Sequence, residues 1–162
     1  MARRQALLGS RLVEWGILAL VILVLAGCFG YYAYRVQGQA ERAAVISTLG
    51  ALRTALVLDQ LRQAVATPST ATAPNRDPFA ALERLPANYA GRRAGQKLEE
   101  VVAGQWVFDE ACVCVGYKPL HGEWLESFGA DQLLWFQVTA GDGGVRQLHA
   151  QRSYLWQGQT VE

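Results

Sequence analysis

A lone carboxylate stands where a membrane-length apolar run begins. Glu14 is followed by Trp15 to Tyr34, 20 residues without a charge. A carboxylate costs on the order of 2.5–3.5 kcal/mol at the middle of a bilayer and less near its interface. A plain anchor gains nothing from such a residue. A chain that must find a charged partner inside a hydrophobic assembly would. Arg11 lies three residues earlier, within pairing reach on a helix. Other chemistry-bearing residues are sparse. Cys112 and Cys114 flank one residue, so a strand would place both on one face. Two such ligands with no His or further Cys beside them do not make a zinc site. A bond between them would strain a strand. Buried thiols are therefore expected, with a disulfide between subunits the other use in an oxidising compartment. His121 and His149 stand apart and lack a third ligand. Asp142, within Gly141–Gly144, could touch calcium, but a hairpin turn is its expected role. No serine has a nucleophile-elbow context. Neither catalysis nor a cofactor is expected.

The elements that position these residues follow from periodicity. The chain has 162 residues and a net charge of +1, enough for one modest domain besides an anchor, and nothing favours nucleic acid. Trp15 to Tyr34 would span roughly 30 Å as a helix. Arg3, Arg4 and Arg11 precede it, which puts the N-terminus in the cytoplasm by the positive-inside rule. No proline interrupts Ser10 to Ala66. Past the anchor, Val45, Leu49, Leu52 and Leu56 recur at helical spacing, followed by Leu61 and Val65. One helix of ~57 residues, apolar all round and then striped, is the expectation.

Pro68 and Pro74 make 67–75 a terminator and loop. Asp77 and Pro78 open a short helix as N-cap and first residue, running from Phe79 to Arg84. The C-terminal region reads as antiparallel strands at Gln105–Asp109, Cys112–Lys118, Gln132–Ala140 and Val145–Ala150. The last two are joined by the Gly141–Gly144 turn. Tyr154 and Trp156 would extend the sheet or cover its edge. The fold class expected is α+β: a long N-terminal helix packed on a small antiparallel sheet.

The N-terminal pattern resembles type IV pilins and type II secretion pseudopilins. In that family a basic leader ends in glycine, a dedicated peptidase cuts after it, the new N-terminus is methylated, and the fifth mature residue is glutamate. The resemblance makes residues 1–9 a leader ending at Gly9, Ser10 the mature N-terminus and Glu14 the family's glutamate. It makes 10–34 the membrane and fibre-core helix, 35–66 its amphipathic half, 67–104 a loop with a short helix, and 105–162 the sheet. Ser10 stands where Phe is usual, Arg11 is unusual at its place, and Tyr31 stands where many members bend at proline. These departures point to a minor subunit. The stretch Asn75–Gly91, with Gly104–Asp109 after it, also looks like a segment common in minor pilin-like proteins, with Phe79 and Tyr89 as packing anchors and Asn88 in a turn. Pilins often close a C-terminal loop with a disulfide, but no cysteine follows Cys114.

The resemblance implies other pilin or pseudopilin subunits, a prepilin peptidase and an inner-membrane assembly platform as partners. It implies a bacterial inner-membrane location with the region after Arg35 in the periplasm. A second resemblance competes. Leu25-Ala26-Gly27-Cys28 looks like a bacterial lipobox, in which a lipidated Cys28 would anchor a non-polymerising envelope module. Glu14 at the start of that signal's apolar core, and further helix-forming sequence after Cys28, oppose it.

Overall fold

The computed structural model describes residues 2–65, 77–93, 100–126, 132–140 and 146–161. The fold is α+β, and it divides into two units, Met1–Ala40 and Glu41–Glu162. One helix, α1 (Ala2–Val65), runs through the first and into the second. Its length follows from the absence of proline across the span.

From Trp15 to Ala33 the helix is apolar and open on all sides. Trp15, Leu23 and Phe29 are 69%, 70% and 76% exposed. Among the described residues this is the one helix long and apolar enough to cross a membrane. An uncharged surface of this kind is compatible with a single-pass anchor.

In the second unit α1 becomes one-sided. Val45, Leu49, Leu52 and Leu56 are buried, as their spacing requires. The stripe stops there. Leu61, expected to extend it, is 57% exposed. Five residues at 3.6 per turn carry Leu61 about 140° round the axis from Leu56, onto the open face. The side chain of Val65 and the expected loop at 67–75 lie outside the described residues.

A five-stranded sheet has the order β1 (Tyr89–Arg93), β2 (Trp106–Asp109), β3 (Cys114–Tyr117), β4 (Leu134–Ala140), β5 (Arg146–Ala150). All its pairs are antiparallel except β1 with β2. That first strand was not expected, since Asn88 and Tyr89 read as a turn. Gly91, at φ 89°, sits where the β1–β2 register shifts, so the strand is short and bulged. The β4–β5 pairing matches the hairpin expected around Asp142, and Gly141–Gly144 itself lies outside the described residues, as does Phe128. The expected helix after Asp77 is a single 3-10 turn, Pro78–Ala81. The Asp77 Oδ1 accepts from the Phe79 N–H at 2.9 Å, the capping role read from the sequence.

Tyr154 and Trp156 neither extend the sheet nor merely cover it. They form β6 (Tyr154–Trp156), which pairs with β7 (Gln159–Val161) in a separate ribbon. Gln157 and Gly158, at φ 48° and 75°, turn that hairpin with both central residues left-handed. The Tyr154 hydroxyl accepts from the Trp135 N–H at 2.8 Å and ties the ribbon to β4.

The sheet is buried on the face toward α1 and in part on the other, where Gln137, Thr139, Gln147 and His149 are exposed. Trp106, Phe108, Tyr117, Leu134, Phe136 and Leu148 alternate onto the face toward α1, where Tyr117 meets Glu41. Trp106 stacks among Phe79, Tyr117 and Phe136 with ring centroids 6.0, 4.7 and 6.5 Å away. The opposite face carries a smaller cluster of Val101, Val107, Cys114, Leu133 and Trp135, with Cys112 against it. Gly116 lies under the Trp135 ring. A Cβ there would stand 2.7 Å from it.

Candidate functional site

The first unit holds the residues to which the resemblance gives a role in processing, assembly or lipidation. Gly9 and Ser10 are helical in backbone, and the side chain of Ser10 lies outside the described residues. Glu14 is exposed at the start of the apolar surface. Arg11 is exposed too, and among the described residues no ion pair joins the two. Cys28 is an exposed free thiol in an unbroken helix. A carboxylate held at the edge of an apolar surface can neutralise a cation that arrives with another apolar surface, and in low dielectric that pairing acts on register.

The second unit contains polar anchors that composition alone did not reveal. Glu41 is 8% exposed. Its Oε1 accepts from the Tyr117 hydroxyl at 2.7 Å and the Leu120 N–H at 2.9 Å, while Oε2 is buried without a partner. Burial, reinforced by the hydrogen bond to Glu41 and by its charge, pushes the Tyr117 hydroxyl well above its ordinary range. The signal for this anchor was present in the spacing. Glu41 stands four residues before Val45, on the stripe itself, where a carboxylate needs a buried partner.

Two further side chains of α1 reach the free edge of β5. Arg53 Nε donates to the Leu148 carbonyl at 3.2 Å, and the Arg146 N–H donates to Gln60 Oε1 at 3.1 Å. An edge strand left open templates unwanted pairing, so these contacts protect it. At the other end of the sheet, Asp77 is a hub. Besides capping Phe79, its carboxylate accepts from the Tyr89 hydroxyl and pairs with Arg92 at 3.4 Å. Burial first, then the bond to Asp77, pushes the Tyr89 hydroxyl up as well.

The cysteines correct the expectation of buried thiols. Cys112 and Cys114 are joined as a disulfide, with Cα atoms 5.2 Å apart. The strain argued against this bond assumed both on a strand. Strand β3 begins only at Cys114, and Val113 turns the chain at φ 56°. That left-handed residue folds the two sulfurs together. By chain entropy, closing so small a loop stabilises by only about 1.6 kcal/mol. A β-branched residue held left-handed costs about 1–3 kcal/mol. The two effects are of one size, so the link is not a strong staple. Asp109 Oδ2 lies 3.7 Å from Cys112 Sγ, and Gln151 Nε2 donates to Cys114 Sγ at 3.0 Å.

His121 packs its ring on Trp124 at 4.6 Å, and His149, exposed on β5, contacts Gln147 at 2.9 Å. Asp142 lies outside the described residues. Among the described residues no group of three His, Cys, Asp or Glu could hold a metal ion. No family model, curated protein or solved structure matches the chain.

Proposed function

We propose that this chain is a minor pilin or pseudopilin, a structural subunit cut after Gly9 and built into a type IV pilus or secretion pseudopilus. The observation that carries the reading is the placement of Glu14. It stands exposed at the start of an open apolar helix that continues, without a break, into a stripe covered by the chain's own sheet. In this reading the subunit waits in a bacterial inner membrane with its N-terminus cytoplasmic and the region after Arg35 periplasmic. The prepilin peptidase frees Ser10, whose amine is methylated. The assembly platform then presents the subunit to its neighbours. Glu14 of the incoming subunit neutralises the Ser10 amine of the next, and the energetic penalty on an unpaired charge in low dielectric sets the axial register. The apolar helices form the fibre core and the sheets its outside.

Mass analysis of the N-terminus of protein recovered from membranes tests this. A chain beginning at methylated Ser10 is expected. A diacylated Cys28 at the N-terminus would overturn the reading in favour of an anchored envelope module. An intact Met1 or Ala2 would overturn processing.

A further inference from the structure

We propose that Cys112 and Cys114 form a thiol–disulfide exchange site, in which an external thiolate is taken up at Cys112 and Cys114 is the leaving and resolving sulfur. This inference stands apart from the N-terminal processing and assembly reading. It rests on four residues that share the sheet face turned away from α1.

Access favours Cys112. It is part-exposed in the turn after β2, whereas Cys114 is fully buried in the cluster of Val107 and Trp135. The neighbours favour the same direction. When a thiolate attacks Cys112 Sγ, a new sulfur–sulfur bond forms there and the Cys112–Cys114 bond breaks. The electron pair passes to Cys114 Sγ. That nascent thiolate already receives the Gln151 Nε2 hydrogen bond at 3.0 Å. Attack at Cys114 would instead leave the thiolate on Cys112, 3.7 Å from the Asp109 carboxylate, with like charges in contact. Glu110 beside the turn is paired with Arg92 at 3.7 Å, so the Asp109 carboxylate is the negative charge that bears on Cys112, and neutral or cationic thiols suit the site better than anionic ones.

The cycle closes in two ways. Cys114 thiolate can attack Cys112 Sγ and expel the incoming thiolate, restoring the disulfide. Alternatively a second external thiolate attacks the incoming sulfur. That step releases an external disulfide and leaves Cys112 and Cys114 as two thiols, which take two protons from water. Two external thiols are oxidised and the pair is reduced by two electrons. Opening is favoured because it lets Val113 leave the left-handed conformation that closure imposes.

The test uses the full chain in detergent, treated with 2-mercaptoethanol, quenched by acid and alkylated. Peptide mass mapping separates Cys28 from the pair. The mixed disulfide is expected on Cys112 over Cys114 by about tenfold. Gln151→Leu should slow its formation roughly three- to tenfold at unchanged circular dichroism. Asp109→Asn, which keeps an acceptor for the Ala111 N–H, should spread the adduct over both sulfurs. Adduct mainly or equally on Cys114 in the unsubstituted chain would overturn the proposal. So would recovery of both cysteines as free thiols from untreated protein under air, or a pair that stays closed in excess thiol while the protein is folded.

Discussion

Glu41 and Tyr117 show how a single buried pair ties α1 to the sheet and what it does to the pH response. The Tyr117 hydroxyl must stay protonated to donate to Glu41, and burial with the neighbouring carboxylate raises its folded-state value above the ordinary 10.0. Tyr89 is raised in the same direction by burial and by Asp77. A hydroxyl raised on folding contributes stability that is fully present below its unfolded value. That contribution falls as pH climbs past it, because the unfolded tyrosine ionises and the folded one does not. Stability, read as a thermal midpoint, should therefore hold flat through neutral pH and drop above about pH 10. Tyr117→Phe should lower the midpoint at neutral pH, since Glu41 loses one of two donors, and make the alkaline drop shallower. An equally steep drop in that variant would remove Tyr117 from the explanation.

Among the elements, the helix stripe and the glycine under Trp135 give opposite kinds of test. Leu52 is fully buried, and Leu52→Ala should cost about 2–5 kcal/mol in chemical denaturation. Leu61→Ala, on the open side, should stay within about 0.5 kcal/mol. Gly116→Ala adds a carbon where the Trp135 ring already lies, and should cost about 1–3 kcal/mol through a shifted indole. Much of this layer was legible beforehand. The stripe from Val45 to Leu56, the Asp77 cap and four of the strands follow from period and turn chemistry. The misses have physical causes. Strand β1 is a short edge piece with Gly91 in its middle, and its partner β2 lies a dozen residues on, so no local pattern announces it. Ribbon β6–β7 has three residues a side, too few for alternation to stand out. The disulfide was discounted because one left-handed valine cannot be read from a Cys-Val-Cys string.

For the whole molecule, the sequence named the positions of the candidate site, Gly9, Ser10 and Glu14, through a resemblance and not through physics. Charge and apolar length alone mark Glu14 as odd, while the glycine and serine are silent. Replacing Gly9 by a bulky residue should leave a higher-mass, unprocessed chain, and normal maturation would show the cleavage site to be elsewhere. Glu14→Gln should leave membrane insertion, processing and the sheet-bearing unit intact. Under the proposed function it should lower cross-linking to neighbouring subunits, since the Ser10 amine would lose its counter-charge. Wild-type levels of co-purification with fibre components would refute the register mechanism. A chain starting at Arg35 should be soluble, mixed helix and sheet, and cooperative in unfolding.

The bonds between α1 and the strands are also a statement about time. Glu41 meets Tyr117 across 76 positions, Arg53 meets Leu148 across 95, and Arg42 donates to the Thr160 carbonyl across 118. The segment synthesised early is thus completed by segments synthesised much later. Until β5 and the β6–β7 ribbon emerge, the cover over the stripe of Val45, Leu49, Leu52 and Leu56 is incomplete. The nascent chain carries an adhesive helix through most of its synthesis, and closure of so many distant contacts is slow. A ribosome stalled before Tyr154 should therefore hold a chain whose stripe is only partly covered and sensitive to holdase chaperones and proteases, and emergence of Tyr154–Val161 should lower that sensitivity.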